Sequence, residues 1–124
     1  MKEKALYYYD QGIYNCSQSI ILAAKDKYNI RLDDELLNGL GNINNGFGIG
    51  CMCGVVICAV IIFGMIFEET KARAMRLTFL NLFKSKYKSF NCCQISLQVV
   101  GCSKIISDVC DIIDNIIDKE RCCK

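Results

Sequence analysis

Cys51-Met52-Cys53-Gly54-Val55-Val56-Ile57-Cys58-Ala59-Val60-Ile61-Ile62-Phe63-Gly64-Met65-Ile66-Phe67 is almost wholly apolar, and it follows the glycine-rich run Gly41-Asn42-Ile43-Asn44-Asn45-Gly46-Phe47-Gly48-Ile49-Gly50. No charged residue occurs between Leu36 and Phe67. A helix apolar on every side is either the central element of a bundle or a membrane span. Phe47 to Phe67 is long enough to cross a bilayer, so a single-span membrane protein is one alternative. Against it stand Gly48, Gly50, Gly54 and Gly64, the three cysteines, and the amphipathic character of the sequence on either side.

Those flanking segments read as helix after helix. Residues 3–10 suit a short first helix. Asn15 caps a second that runs to about Tyr28, with Ile20, Ile21, Ala24 and Tyr28 at helical spacing and Cys16 on the same face. Asp33 is a cap for a short helix through Leu36, Leu37 and Leu40. Glu68-Glu69 opens a helix that Lys84, Lys86 and Lys88 close, as the helix dipole favours, with Ala72, Met75, Phe79, Leu80, Phe83 and Tyr87 as its buried stripe. A short helix follows Cys92. The last runs from Ser103 to about Glu120: Ile105, Ile106, Val109, Cys110, Ile112, Ile113, Ile116 and Ile117 make its core face, and Asp108, Asp111, Asp114 and Asp118 fall largely on the wet side. There is no strand alternation, internal repeat or linker. The expected class is all-α: one domain over residues 1–124, a compact helical bundle whose central apolar helix follows the Gly-rich loop.

Composition removes several chemistries. The chain has 124 residues, 52% of them hydrophobic, with net charge +2 and a mean hydropathy of +0.24; it is neither disordered nor too small for a core. Dispersed basic residues give no reason to expect nucleic acid. The absence of histidine excludes Ser/His and Cys/His catalysis and His-ligated zinc or haem. The aspartates of the last helix recur every third or fourth place, the pattern of a solvated face rather than of a carboxylate dyad. Gly46-x-Gly48-x-Gly50 has neither a preceding strand nor a Walker lysine, so a nucleotide loop is not indicated.

Ten cysteines remain. Four fall where a helix should begin: Cys16 after Asn15, Cys53 behind the glycine loop, Cys92 after Asn91 and Cys102 after Gly101. A helix N-terminus carries unpaired N–H groups and partial positive charge, which favours the thiolate, the form that attacks disulfides and binds metals. Cys58 and Cys110 lie inside apolar helices and read as core. Cys51 with Cys53 forms a C-x-C pair, Cys92-Cys93 and Cys122-Cys123 are vicinal, and the last pair reads as an incidental tail. Met1-Lys2-Glu3-Lys4 is followed by no apolar h-region or cleavage site, so reduced or metal-bound thiols and a cytoplasmic setting are expected.

Taken in order, Tyr14-Asn15-Cys16-Ser17-Gln18, Gly46-Phe47-Gly48-Ile49-Gly50, Cys53-Gly54-Val55-Val56-Ile57, Asn91-Cys92, and Cys102 leading a terminal helix resemble the C_GCAxxG_C_C family over about residues 3–120. Its members are small, helical and cytoplasmic, and redox activity is assigned to them mainly from four cysteines and a CGAxxG motif. The resemblance implies that the four are Cys16, Cys53, Cys92 and Cys102. The motif departs here in carrying valine for alanine and Cys58 for the last glycine, which puts a fifth thiol one turn from Cys53. The third cysteine is doubled; the Asn-Cys step favours Cys92 over Cys93.

Two functions suit four convergent thiols. One is thiol–disulfide or electron-transfer chemistry, that of a thiol oxidoreductase, with Cys16 and Cys53 as the expected attacking residues. The other is a metal site, zinc or an iron–sulfur cluster, ligated by the same four cysteines with Cys93 able to replace Cys92. Their separations of 37, 39 and 10 residues match no standard ferredoxin or zinc-finger spacing. A cysteine-rich interaction protein without chemistry ranks third. The sequence names no redox partner, and the apolar surface is compatible with a homodimer.

Overall fold

The computed structural model describes residues 1–122; Cys123 and Lys124, and the side chain of Cys122, lie outside it, and with them the reading of the Cys122-Cys123 tail. Among the described residues there are seven α-helices: α1 (Lys2–Asp10), α2 (Cys16–Tyr28), α3 (Asp34–Leu40), α4 (Gly54–Ile66), α5 (Glu69–Tyr87), α6 (Cys92–Ile95) and α7 (Ser103–Cys122). A 3-10 turn, Gly41–Ile43, and a wider turn, Gly46–Gly50, lead into α4. Two residues pair in isolation, Met52 with Asn91, and no strand is present among the described residues. The class is all-α.

Helix α4 is the hub. It packs against α2, α5 and α7, burying Val55, Val56, Cys58, Ala59, Ile62 and Phe63. It spans 13 residues, about 20 Å at 1.5 Å per residue, against roughly 30 Å of bilayer hydrocarbon. The apolar run divides at its N-terminal end. Phe47 and Gly48 take positive φ of 64° and 77°, and Cys51 to Cys53 is tied to Phe90–Cys92 by the Met52–Asn91 pairing instead of being helical. No helix among the described residues is long and apolar enough to cross a membrane, so the single-span alternative falls.

Local sequence explains the helix ends. Asn15 and Gln18 form a reciprocal capping box at the start of α2: the Gln18 amide donates to Asn15 Oδ1 at 2.9 Å and the Asn15 amide to Gln18 Oε1 at 3.1 Å. Asp33 Oδ1 accepts from Leu36 N–H at 2.8 Å, and Glu68 accepts from the amides of Thr70 and Lys71 at 3.0 and 2.8 Å. The stripe of α5 buries Met75, Phe79, Phe83 and Tyr87, with Ala72 and Leu80 half-buried beside it. The isoleucine face of α7 packs inward with only Ile112 half-buried.

The acidic face of α7 departs from the solvated pattern. Asp108 is buried, accepting from the Tyr87 hydroxyl and pairing with Lys86 and Lys104 at 3.2 Å each. Asp114 is half-buried and gathers the Met1 amino group at 3.2 Å, Lys27 at 3.1 Å and the Tyr28 hydroxyl. Both carboxylates pin α7 to its neighbours, since a buried charge is retained only when partnered. The three-and-four spacing does not distinguish an aspartate facing water from one facing a lysine on the next helix.

Candidate functional site

Four helix starts meet at one end of the bundle. Cys16 is the first residue of α2, and Cys53 is the N-cap of α4, its carbonyl accepting from Val56 and Ile57 N–H at 3.1 and 3.2 Å. Cys92 is the first residue of α6, and Cys102 immediately precedes α7, its carbonyl accepting from Ile106 N–H at 2.9 Å. All four line one cavity of about 230 Å³, completed by Asn45, Gly54, Ile95, Ser96, Gly101 and Ile105. Cys16 and Cys53 are buried; Cys92 and Cys102 are half-buried and border solvent.

The walls are held by close backbone approach. A Cβ on Gly54 would collide with Ser17 Oγ and sit 2.7 Å from the Ile43 carbonyl oxygen; glycine after Cys53 is what lets α4 meet α2. One turn on, Cys58 fills the place of the motif's last glycine: its buried thiol donates to the Ser17 carbonyl at 3.1 Å. Gly46 has φ +60°, and a Cβ there would meet the Cys51 backbone. Asn15 Nδ2 reaches across to the carbonyls of Leu40 and Gly41 at 3.3 and 3.2 Å, tying the Cys16 helix start to the loop. Opposite, Cys53 N–H donates to the Phe90 carbonyl at 2.8 Å and Cys92 N–H to the Cys51 carbonyl at 2.6 Å, so a two-residue pairing brings segments 39 residues apart to one wall.

The electrostatics single out Cys102. Hydrogen bonding from the Cys16 thiol, opposed by burial and reinforced by the Tyr9 hydroxyl, holds its pKa down from the ordinary 9.0 to about 6. Cys16 is pushed the other way, first by that contact with Cys102 and then by burial. The two thiols are thus shifted in opposite directions by one interaction, the half-buried Cys102 down and the buried Cys16 up. Cys53 is also raised, because burial outweighs the Val55 and Val56 amides that draw it down. Cys16 and Cys53, the residues expected to attack, are thus both shifted upward. Both occupy helix starts, but at Cys53 burial outweighs the amides of the helix terminus, and at Cys16 the interaction with Cys102 and then burial do so.

Tyr9, on α1, was not visible as a site residue in the sequence. Its hydroxyl is raised by burial and then by Cys102. The only sequence signal is a run of three tyrosines, Tyr7-Tyr8-Tyr9, of which Tyr9 follows the buried Ala5 by one helical turn. Cys93 is exposed and lies against the Gly50 backbone, outside the cavity wall. Cys58 and Cys110 are core thiols, with burial pushing Cys110 up to about 12. Every described cysteine is a free thiol. Among the described residues, no group of three or more cysteine, aspartate or glutamate side chains is arranged to hold a metal ion.

No curated protein and no solved structure matches the chain. A family model described as putative redox-active protein (C_GCAxxG_C_C) matches residues 14–116, which takes in all four cavity cysteines and the Gly54 approach. The chain belongs to the C_GCAxxG_C_C family.

Proposed function

We propose that this redox-active protein performs thiol–disulfide exchange in the four-cysteine cavity, with Cys102 as the attacking sulfur and Cys16 as the resolving one. The observation that carries this reading is the shared cavity, in which Cys102 borders solvent and the buried Cys16 lines the same wall; their interaction draws the Cys102 thiol down and pushes Cys16 up. Exchange needs both: a thiolate to attack and a neighbour to displace the product.

The electrons balance in two displacements. The Cys102 thiolate attacks one sulfur of a disulfide RSSR; the S–S bond breaks, a Cys102–S–SR mixed disulfide forms, and RS⁻ leaves and takes a proton from water. Cys16 then loses its proton, attacks the Cys102 sulfur and expels the second RS⁻. The protein has become a Cys16–Cys102 disulfide, and RSSR has become two thiols. An external dithiol reverses the sequence. The Tyr9 hydroxyl, which draws the Cys102 thiol down, stabilises that sulfur as leaving group in the return direction. Cys53 and Cys92 line the same cavity and serve as further sulfurs to which the disulfide passes.

The test is disulfide mapping after equilibration with a small symmetrical disulfide. A Cys16–Cys102 cross-link in the wild type, and a persistent mixed disulfide on Cys102 in Cys16→Ser, support the assignment. A Cys102 that stays a free thiol while other cavity cysteines oxidise refutes it. Protein purified without oxygen and carrying stoichiometric zinc, or iron with sulfide, would replace the exchange reading by a metal one.

A further inference from the structure

Cys51 belongs to none of the four helix starts, yet the backbone sets it beside one of them. Met52 and Asn91 pair in antiparallel register. The two backbone hydrogen bonds flanking that pair, Cys53 N–H to the Phe90 carbonyl and Cys92 N–H to the Cys51 carbonyl, set Cys53 beside Phe90 and Cys51 beside Cys92. The hydrogen bond from Cys92 N–H to the Cys51 carbonyl, 2.6 Å long, with standard bond lengths, bounds their Cα separation at about 6.5 Å. Disulfides bridge Cα separations of roughly 4.4–6.8 Å. Cys51 to Cys53, two residues along an extended chain, lies at the far limit of that range at roughly 6.6 Å.

The two sulfurs differ in their surroundings. Cys92 is half-buried and lines the cavity; Cys51 is exposed and does not. Cys92 is thus reachable from both sides, and Cys51 from solvent. We propose that Cys51 and Cys92 form a reversible disulfide across this pairing, which makes Cys51 a fifth redox thiol and carries disulfide between the cavity and the surface. The inference goes beyond the Cys16–Cys102 assignment and does not depend on it.

The chemistry is again displacement. With a small disulfide RSSR as oxidant, the Cys92 thiolate forms Cys92–S–SR and releases RS⁻. Cys51 loses its proton to water and attacks the Cys92 sulfur, the mixed disulfide breaks, and a second RS⁻ departs. Where Cys92 has instead been drawn into a disulfide with a cavity cysteine, the same attack by Cys51 breaks that bond, returns the inner cysteine to its thiolate and leaves the disulfide at the surface, open to an external dithiol.

The experiment uses the full chain equilibrated with oxidised glutathione, quenched in acid, alkylated and mapped by tandem mass spectrometry, in a Cys93→Ser background so that the α6 start carries one thiol. The expected result is a Cys51–Cys92 cross-link, still formed in Cys102→Ser. In Cys51→Ser, Cys92 should instead carry one glutathionyl group. Cys92 joined to Cys53, or Cys51 and Cys92 each separately glutathionylated, would overturn the proposal. The two readings fail independently: a Cys51–Cys92 link without a Cys16–Cys102 link sinks the cavity pair alone, and the converse sinks only this one.

Discussion

Replacing Cys16 with alanine removes the thiol that holds Cys102 down, and the consequence can be worked out across pH. Cys102 lies three units below its ordinary value, at about 6 rather than 9.0. At pH 7 that difference changes the thiolate fraction from about 1% to about 90%, roughly ninety-fold. Lower basicity also makes each thiolate a weaker nucleophile: with a Brønsted slope of about 0.45, three units cost roughly twenty-fold. The net gain from the Cys16 contact at pH 7 is therefore only about fourfold, rising to about forty-fold at pH 5, and above a crossing between pH 7 and 8 the variant becomes the faster. The assay is the rate at which free Cys102 thiol is lost to a small symmetrical disulfide, whether to a mixed disulfide or to its Cys16 successor, read by mass spectrometry of acid-quenched, alkylated protein so that the exposed Cys51 and Cys93 do not contribute. The wild type should titrate with a midpoint near 6, and Cys16→Ala with one at or above the ordinary thiol value. Superimposable profiles, or a wild-type midpoint near 9, would refute the argument that a protonated neighbour stabilises the thiolate.

Tyr9→Phe should raise the same midpoint by less than Cys16→Ala, since Cys16 is the larger influence on Cys102; an equal or larger shift would reverse their order. Gly54→Ala should destabilise the fold by about 1–3 kcal/mol in chemical denaturation, because the added methyl meets Ser17 Oγ and the Ile43 carbonyl, and the latter is backbone that cannot rotate away. Asn15→Ala should cost about 1 kcal/mol through loss of the α2 cap and of the two loop carbonyl contacts. Asp108 is raised by burial but lowered more by Tyr87, Lys86 and Lys104, leaving it below the ordinary 3.8. A depressed carboxylate contributes stability above its unfolded pKa, lost as pH falls through that value toward the native one. Asp108→Asn should therefore cost about 1–2 kcal/mol at neutral pH and converge on the wild type in acid; a constant difference down to pH 3 would remove the ionic explanation.

The elements were legible because their signals are local. Asn15 with Gln18, Asp33, and Glu68 each cap the helix that follows, and the isoleucines of α7 repeat at the helical period. The four cysteines were legible as helix starts for the same reason. What the sequence does not carry is depth. Cys16 and Cys102 are equivalent by position, each beside the first turn of a long amphipathic helix. They part only when packing buries Cys16 and leaves Cys102 half-exposed. The partnering of Asp108 by Tyr87 and Lys86 of α5, and the hydrogen bond that sets Cys51 beside Cys92, are likewise tertiary facts with no periodicity behind them. The apolar run shows the reverse failure: a length sufficient for a membrane is divided by left-handed residues at Phe47 and Gly48 and by an extended segment at Cys51–Cys53, neither of which a hydropathy reading weighs.

Placing thiols at helix N-termini and then burying them sets two influences against each other, and their balance assigns the roles. Burial alone would leave four protonated, inert cysteines, since each thiolate would lose its hydration with little to replace it. At Cys53 burial wins: the amides of Val55 and Val56 do not offset it. At Cys102 the neighbouring Cys16 and Tyr9 side chains draw the thiol down against burial, while the sulfur still borders solvent. A second charge in the same 230 Å³ cavity would repel the first, so the shifts at Cys102 and Cys16 run in opposite directions. Exchange should therefore begin at Cys102 and move inward. Cys16 becomes the better nucleophile once Cys102 has given up its charge to a mixed disulfide, because the interaction with Cys102 is the largest influence raising it.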